Sequence, residues 1–206
     1  MKLNYLFILT AITLITQSCY ISKPLKEPKS IKIVINFTPQ KQDYDNTKYI
    51  NNYSLQDYKE KYLTALKNEL DIYNLNETDN NNPDFTLIID KFNVSETIST
   101  ETINDESSEY NGQSFDVSSC SVTAEFSLYY GNVDKEITST FASASKDEKV
   151  TNNRNLGDYI TGSNKDNSIY HFKGLSDDIF ITLSEKTGRR TVIKLTKKIH
   201  KAIKKH

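Results

Sequence analysis

Two cysteines, three histidines and a few paired acids are the residues here whose types could support chemistry. His171, His200 and His206 are not spaced as zinc ligands, and Cys120 has no neighbouring cysteine to complete a set. As a nucleophile Cys120 would need a nearby base and some exposure, and the residues around it offer neither. Asp105-Glu106 and Asp177-Asp178 fit a solvated loop and a helix start better than a general acid–base pair. Asp158 and the run Asn164-Lys165-Asp166-Asn167 could offer oxygens to calcium, but they lack the alternate spacing of a calcium loop. There is no Gly-x-Ser-x-Gly, Walker loop or dinucleotide fingerprint. With 6 glycines in the chain, little material is left for a phosphate cradle. The expectation is a non-enzyme with no catalytic residue, cofactor or metal site.

The elements that would hold these residues follow from period and punctuation. From Phe115 to Tyr130 one alternation collects Cys120, Val122, Ala124, Phe126 and Leu128, and the other collects Ser119, Ser121, Thr123, Glu125 and Ser127. That is a half-buried strand, with Cys120 on its apolar face as a small buried hydrophobe. Ile31, Ile33 and Ile35 mark an earlier strand, and residues 37–53 read as a polar connection. Ser54 and Asp57 form a capping-box-like pair opening a helix. Its stripe is Leu55, Tyr58, Tyr62, Ala65, Leu66, Leu70 and Tyr73, with Glu69 as the exception.

Asp84 opens the next strand. Phe85, Leu87 and Ile89 face one way, while Ile88, Phe92 and Val94 face the other, which suggests a central strand covered on both sides. Residues 95–113 extend it as a hairpin or form a loop. After the Cys120 strand, Gly131-Asn132 signals a turn, and Ile137 to Ser145 give the last strand of a meander. Residues 148–175 form a long loop, of the kind that often carries function. A final helix starts near Ser176 with Asp177 and Asp178 in its first turn. Ile179, Phe180, Leu183, Val192, Leu195, Ile199 and Ile203 form its stripe, with Gly188 a possible interruption. The order β-α-β-β-β-α predicts an α+β fold. A mainly antiparallel sheet of about four strands would be covered by two helices.

Charge excludes little but is unevenly placed. The net charge is −1, so nothing points to nucleic acid. Residues 71–136 hold 14 Asp/Glu against 2 Lys, whereas residues 189–206 hold 8 Lys/Arg and no acid. A basic helix end complements the helix dipole; a basic strip facing phosphate or acidic sugar is the functional alternative.

The amino terminus says where the protein resides. Met1-Lys2 is followed by the apolar run Leu6 to Ile15, then Thr16-Gln17-Ser18, then Cys19. This is the layout of a secretory signal, and the run is too short for an ordinary membrane-spanning helix. Cys19 in this position resembles the lipobox of bacterial, Bacteroidetes-like lipoproteins. Ser18 fits that motif, whereas Thr16 departs from its usual leucine; plain secretion and an uncleaved anchor remain as alternatives. The resemblance implies residues 1–18 as signal peptide and a diacylglyceryl group on Cys19, usually joined by a further acyl chain. Such chains together anchor stably. Residues 19–30, with Pro24 and Pro28, read as a tether reaching about 35 Å. Residues 31–206 are then a single domain with length enough for a core.

The element order behind this signal resembles small envelope-assembly lipoprotein domains: lipopolysaccharide-assembly lipoproteins, cell-wall-synthase activators and curli secretion lipoproteins. The likeness is architectural and transfers no functional residue. It implies a protein held at the outer membrane, facing the periplasm, with a non-catalytic binding or assembly role toward an envelope protein. The alternative is a lipid- or glycolipid-binding lipoprotein with a groove between helices and sheet.

Overall fold

The computed structural model describes residues 22–42, 46–106, 108–152 and 170–204, the side chains at 151–152 and 170–171 excepted. The elements run β1 (Lys29–Ile35), β2 (Gln40–Gln42), α1 (Leu55–Ile72), β3 (Leu75–Glu77), β4 (Phe85–Thr102) and β5 (Ser114–Tyr130). They continue as β6 (Lys135–Asp147), β7 (Lys149–Asn152), β8 (Tyr170–Lys173) and α2 (Ile179–Ile203). Cys19, the signal segment, residues 153–169 with the suggested calcium ligands, Lys205, His206 and the His171 side chain lie outside the described residues.

The α+β class and the two helices hold, but the sheet differs from the expected one. It is six-stranded, ordered β3-β1-β4-β5-β6 with β2 also on β4, and β7–β8 form a separate pair. β1 pairs in parallel with β3 and β4, and β2 with β4. Only β4–β5–β6 and β7–β8 are antiparallel. The reason is the helix: α1 carries the chain back along the sheet, so β3 and β4 start at the same end as β1. Residues 95–113 resolve as a hairpin, with Thr102 opposite Ser114.

A register shift between Ile89 and Lys91 changes the reading of β4. The extra residue, Asp90, flips the alternation, so Phe85, Leu87, Ile89, Phe92 and Val94 all face one core. The two-sided strand expected from the sequence is therefore one-sided. On its outer face Asp90 accepts a hydrogen bond from Ser127 at 2.8 Å, and Lys91 pairs with Glu125.

The helices lie against this core face, and both caps and stripes explain why. Ser54 and Asp57 form the reciprocal capping box. Tyr58, Tyr62, Leu66 and Leu70 are fully or almost fully buried. α2 begins at Ile179, slightly later than expected, and Asp178 makes no side-chain cap. Its stripe is buried as read except Ile203, which is 45% exposed beyond the sheet. Its buried Ser184, Thr187, Thr191 and Thr196 bond back to Phe180, Leu183, Thr187 and Val192 carbonyls. Those hydroxyls are satisfied within the helix and leave a shallow groove on its surface.

Gly188 sits in that groove and does not interrupt the helix. A β-carbon there would collide with the Tyr62 backbone oxygen and lie 2.9 Å from the Leu66 nitrogen. The two helices thus meet backbone to backbone, and the Tyr62 hydroxyl reaches Thr191 Oγ1 at 3.3 Å. No helix among the described residues is long and apolar enough to cross a membrane.

The expected tether is, in its described part, docked on the domain. Leu25 is 3% exposed, and its N–H donates to the Tyr73 carbonyl at 3.2 Å. Its carbonyl accepts from Asn74 Nδ2 at 2.7 Å, and the Lys23 carbonyl lies 2.8 Å from His200 Nε2. Leu25 supplies the apolar anchor that two flanking prolines obscure in the sequence. The packed chain thus includes residues 22–30, which the sequence assigns to a tether. At the far side of the sheet, Lys194 and Arg190 of α2 donate to the carbonyls of Phe141 and Ser143 on β6. The Lys194 ammonium also lies 4.7 Å from the centre of the Phe141 ring.

Gly188→Ala tests the helix contact. The colliding atoms are backbone and cannot swing away, so the overpacking cost, about 1–3 kcal/mol, should exceed the helix-propensity gain. Urea unfolding of the variant is expected to show a lower midpoint with an unchanged slope.

Candidate functional site

The same alternation that buries Phe92 and Val94 brings Glu96 to the core face, where it is fully buried. It meets the loop after β2. Glu96 Oε1 accepts the N–H of Lys48 at 2.9 Å, and Oε2 accepts those of Tyr49 and Ile50 at 3.0 and 2.8 Å. Three consecutive backbone donors close on one carboxylate, which satisfies a charge that burial would otherwise penalise heavily.

Glu148, 1% exposed, follows β6 and makes a second carboxylate of the same kind. Its N–H donates to the Ser118 carbonyl at 2.9 Å, and the Ser118 N–H donates to its Oε2 at 2.7 Å. Lys48 Nζ reaches Oε2 at 2.9 Å, and the Tyr49 hydroxyl donates to Oε1 at 2.5 Å. That hydroxyl in turn accepts the Leu175 N–H at 3.2 Å. The cluster ties together the loop after β2, the ends of β4 to β6 and the approach to α2.

The electrostatics follow the contacts. Burial alone would raise the Glu148 carboxyl, but bonds from Tyr49, Lys48 and Ser118, with the Lys48 charge, hold it below the usual range. Tyr49 is pushed up to about 12 by burial and by its bond to Glu148, so it stays a donor. Cys120, fully buried on β5 as the alternation predicts, is pushed up to about 12 by burial and then by the charges of Glu96, Glu148 and Asp147. A thiol held protonated and enclosed is not an activated nucleophile.

The other residues singled out from sequence are not brought together. His200 lies on α2 against the Lys23 carbonyl, Asp177 offers its backbone carbonyl to Asn52, and Asp105 and Glu106 sit in the β4–β5 loop. No group of His, Cys, Asp or Glu among the described residues could hold a metal ion. The groove expected between helices and sheet is filled, among the described residues, by Tyr58, Tyr62, Phe92, Phe126 and Phe180. Glu96, Glu148, Tyr49 and Lys48 escaped sequence reasoning. A signal existed for Glu96: once the bulge is allowed for, the period Phe92, Val94, Glu96 points inward.

Around this cluster lies one end of the sheet, formed by the 46–53 loop, the β4–β5 hairpin and the β7–β8 pair. The hairpin loop is ordered by its own bonds: Ile103 N–H to the Gln113 carbonyl at 2.9 Å and Gly112 N–H to the Ile103 carbonyl at 2.8 Å. Ile103 is tucked in at 6% exposed, while Glu101, Glu106, Glu109 and Asp116 face solvent. No Lys or Arg occurs between Lys91 and Lys135, so the hairpin itself carries acids alone, while Lys146, Lys149 and Lys173 lie on the neighbouring strands.

No family model matches the chain, and no curated protein matches it. Among solved structures it is similar to a minor lipoprotein from Acinetobacter baumannii at TM-score 0.38 and 11% identity, over 83% of this chain and 91% of that one. It is also similar to a neuraminyllactose-binding hemagglutinin homolog from Helicobacter pylori at TM-score 0.43 and 12% identity, over 86% of this chain and 88% of that one. Neither likeness assigns a role to a residue here.

Two measurements test the cluster. Glu148 is held below its unfolded value, so its contribution is complete above the usual glutamate range, near pH 4.3, and is lost as pH falls through the folded value. Glu148→Gln is expected to cost about 2–3 kcal/mol at neutral pH. Melting temperatures of wild type and variant should converge as pH drops below 4. Iodoacetamide followed by peptide mass mapping should find Cys120 unmodified in the folded chain and alkylated in urea.

Proposed function

We propose that this protein is a membrane-anchored envelope lipoprotein that works without catalysis, by binding another envelope protein. The anchor is the lipid on Cys19 implied by its lipobox-like setting, and the expected place is the outer membrane, facing the periplasm. One observation carries the binding role. The two most buried carboxylates are occupied by the chain's own donors and serve to fix loops, not to face a cleft. An enzyme keeps its buried acid within reach of substrate. Here the acids hold one end of the sheet rigid, which lowers the entropy lost when a partner docks on it.

The acidic hairpin favours a partner with a basic surface, since complementary charge steers association and fixes orientation. Cross-linking the tagged full-length protein in its native envelope, followed by mass spectrometry, should enrich one partner. Glu101→Lys with Glu109→Lys, both exposed, should reduce that enrichment at least several-fold while leaving the melting temperature unchanged. Cys19→Ala should lose the partner if anchoring brings the two together. A wild-type sample that yields no specific cross-link would refute the binding role.

A further inference from the structure

The end of the molecule opposite the acidic hairpin is built differently. It gathers the docked amino-terminal segment, the end of α1, the β5–β6 turn and the last turns of α2. Their adjacency rests on named contacts: His200 to Lys23, Leu25 to Tyr73, and Gly131 N–H to the Asp84 carbonyl beside Ser30. Lys23, Lys26, Lys135, Lys201 and Lys204 are exposed on it. Acids are present too: Glu27 and Asp84 lie 3.9 and 4.0 Å from Lys29, and Asp134 and Glu136 flank Lys135. Asp71, exposed beside Ile72, is a further acid and Lys198, beside Lys201, a further base, so the lysines of this end outnumber its acids by two.

Three of the seven exposed large apolar side chains among the described residues, all aliphatic, lie at the same end. Ile72 is 61% exposed, and Val133 and Ile203 are each 45% exposed, at the tips of α1, the turn and α2. Between α2 and the amino-terminal segment runs an open groove of about 410 Å³, lined by Leu25, Lys26, His200, Ile203 and Lys204 among others. Lysines around projecting aliphatic side chains are the composition of a surface that sits in a lipid headgroup layer.

We infer that this basic end is a membrane-contact face, resting on anionic phospholipid headgroups with Ile72, Val133 and Ile203 entering the interface. The inference builds on the anchored reading and adds an orientation to it. Chain length is the decisive constraint. Residues 19–21 alone separate Cys19 from the docked Ser22, and three residues span about 10 Å at most. A lipid on Cys19 therefore brings this end to the bilayer surface. Headgroup phosphates attract its lysines, while the acidic hairpin is repelled and points away.

The test uses the full-length protein purified with its native lipid and reconstituted in vesicles. One set is pure phosphatidylcholine; the other contains 30% phosphatidylglycerol, roughly the anionic share at which surface potential acts on lysines. Brief amine acylation with mass mapping then reads each lysine. Lys26, Lys201 and Lys204 should label about threefold or more slowly on the anionic vesicles, and 1 M salt should restore them. Lys146 and Lys149, at the hairpin end and exposed, should be unchanged. Lys201→Glu with Lys204→Glu should abolish the protection of Lys26 without altering the melting temperature. Equal labelling in both vesicle types, on a chain whose intact mass includes the lipid, overturns the contact face and leaves the anchor standing. An intact mass without acyl groups on Cys19 overturns both.

Discussion

The backbone contact between the two helices at Gly188 is the constraint on which the rest of the structure depends. A sheet whose core face is built mainly from β4 and β5 is narrow, and two helices must share it. They fit only by approaching more closely than side chains ordinarily allow. Gly188, with Ser184, Thr187 and Thr191 bonded back onto their own helix, provides that approach. Tyr62 and Phe92 can then pack ring against ring, 5.1 Å between centres, beneath the crossing. Because α2 is drawn inward, its long side chains reach β6 and its final turns meet the amino-terminal segment.

The protein places ionised groups in two opposite ways. Glu96 and Glu148 are buried and answered by backbone amides, a hydroxyl and one lysine, so their charge is absorbed by local order. Lys201 and Lys204 in the last turns of α2 and the acids of the hairpin are instead left in water at opposite ends, where their fields act outward. A nearly neutral total of −1 therefore describes a molecule with a marked electrical axis, not an uncharged one.

Much of the fold was legible in local pattern. The capping box at Ser54, the tyrosine-rich stripe of α1 and the place of Cys120 on β5 depend on neighbours in sequence, and period alone finds them. What period cannot show is pairing direction. β2, β3, β7 and β8 are three or four residues long and largely polar, so the parallel edge of the sheet left no trace. One inserted residue at Asp90 inverted the faces of β4 and hid Glu96, and the bonds that justify burying it come from residues 46–48 positions away. Leu25 was masked by a composition of prolines and lysines that normally marks an extended linker.

The bonds from Arg190 and Lys194 to β6 have a consequence for a protein at high surface density. β6 ends the sheet, and its outward carbonyls would template the strand of a neighbouring copy. The anchorage proposed above would raise the local concentration of copies and align them, which are the conditions that favour edge-to-edge polymerisation. With the carbonyls of Phe141 and Ser143 already engaged and two cations standing over them, a second strand finds no free acceptors there and meets positive charge. The long helix thus guards the middle of this edge as well as covering the sheet.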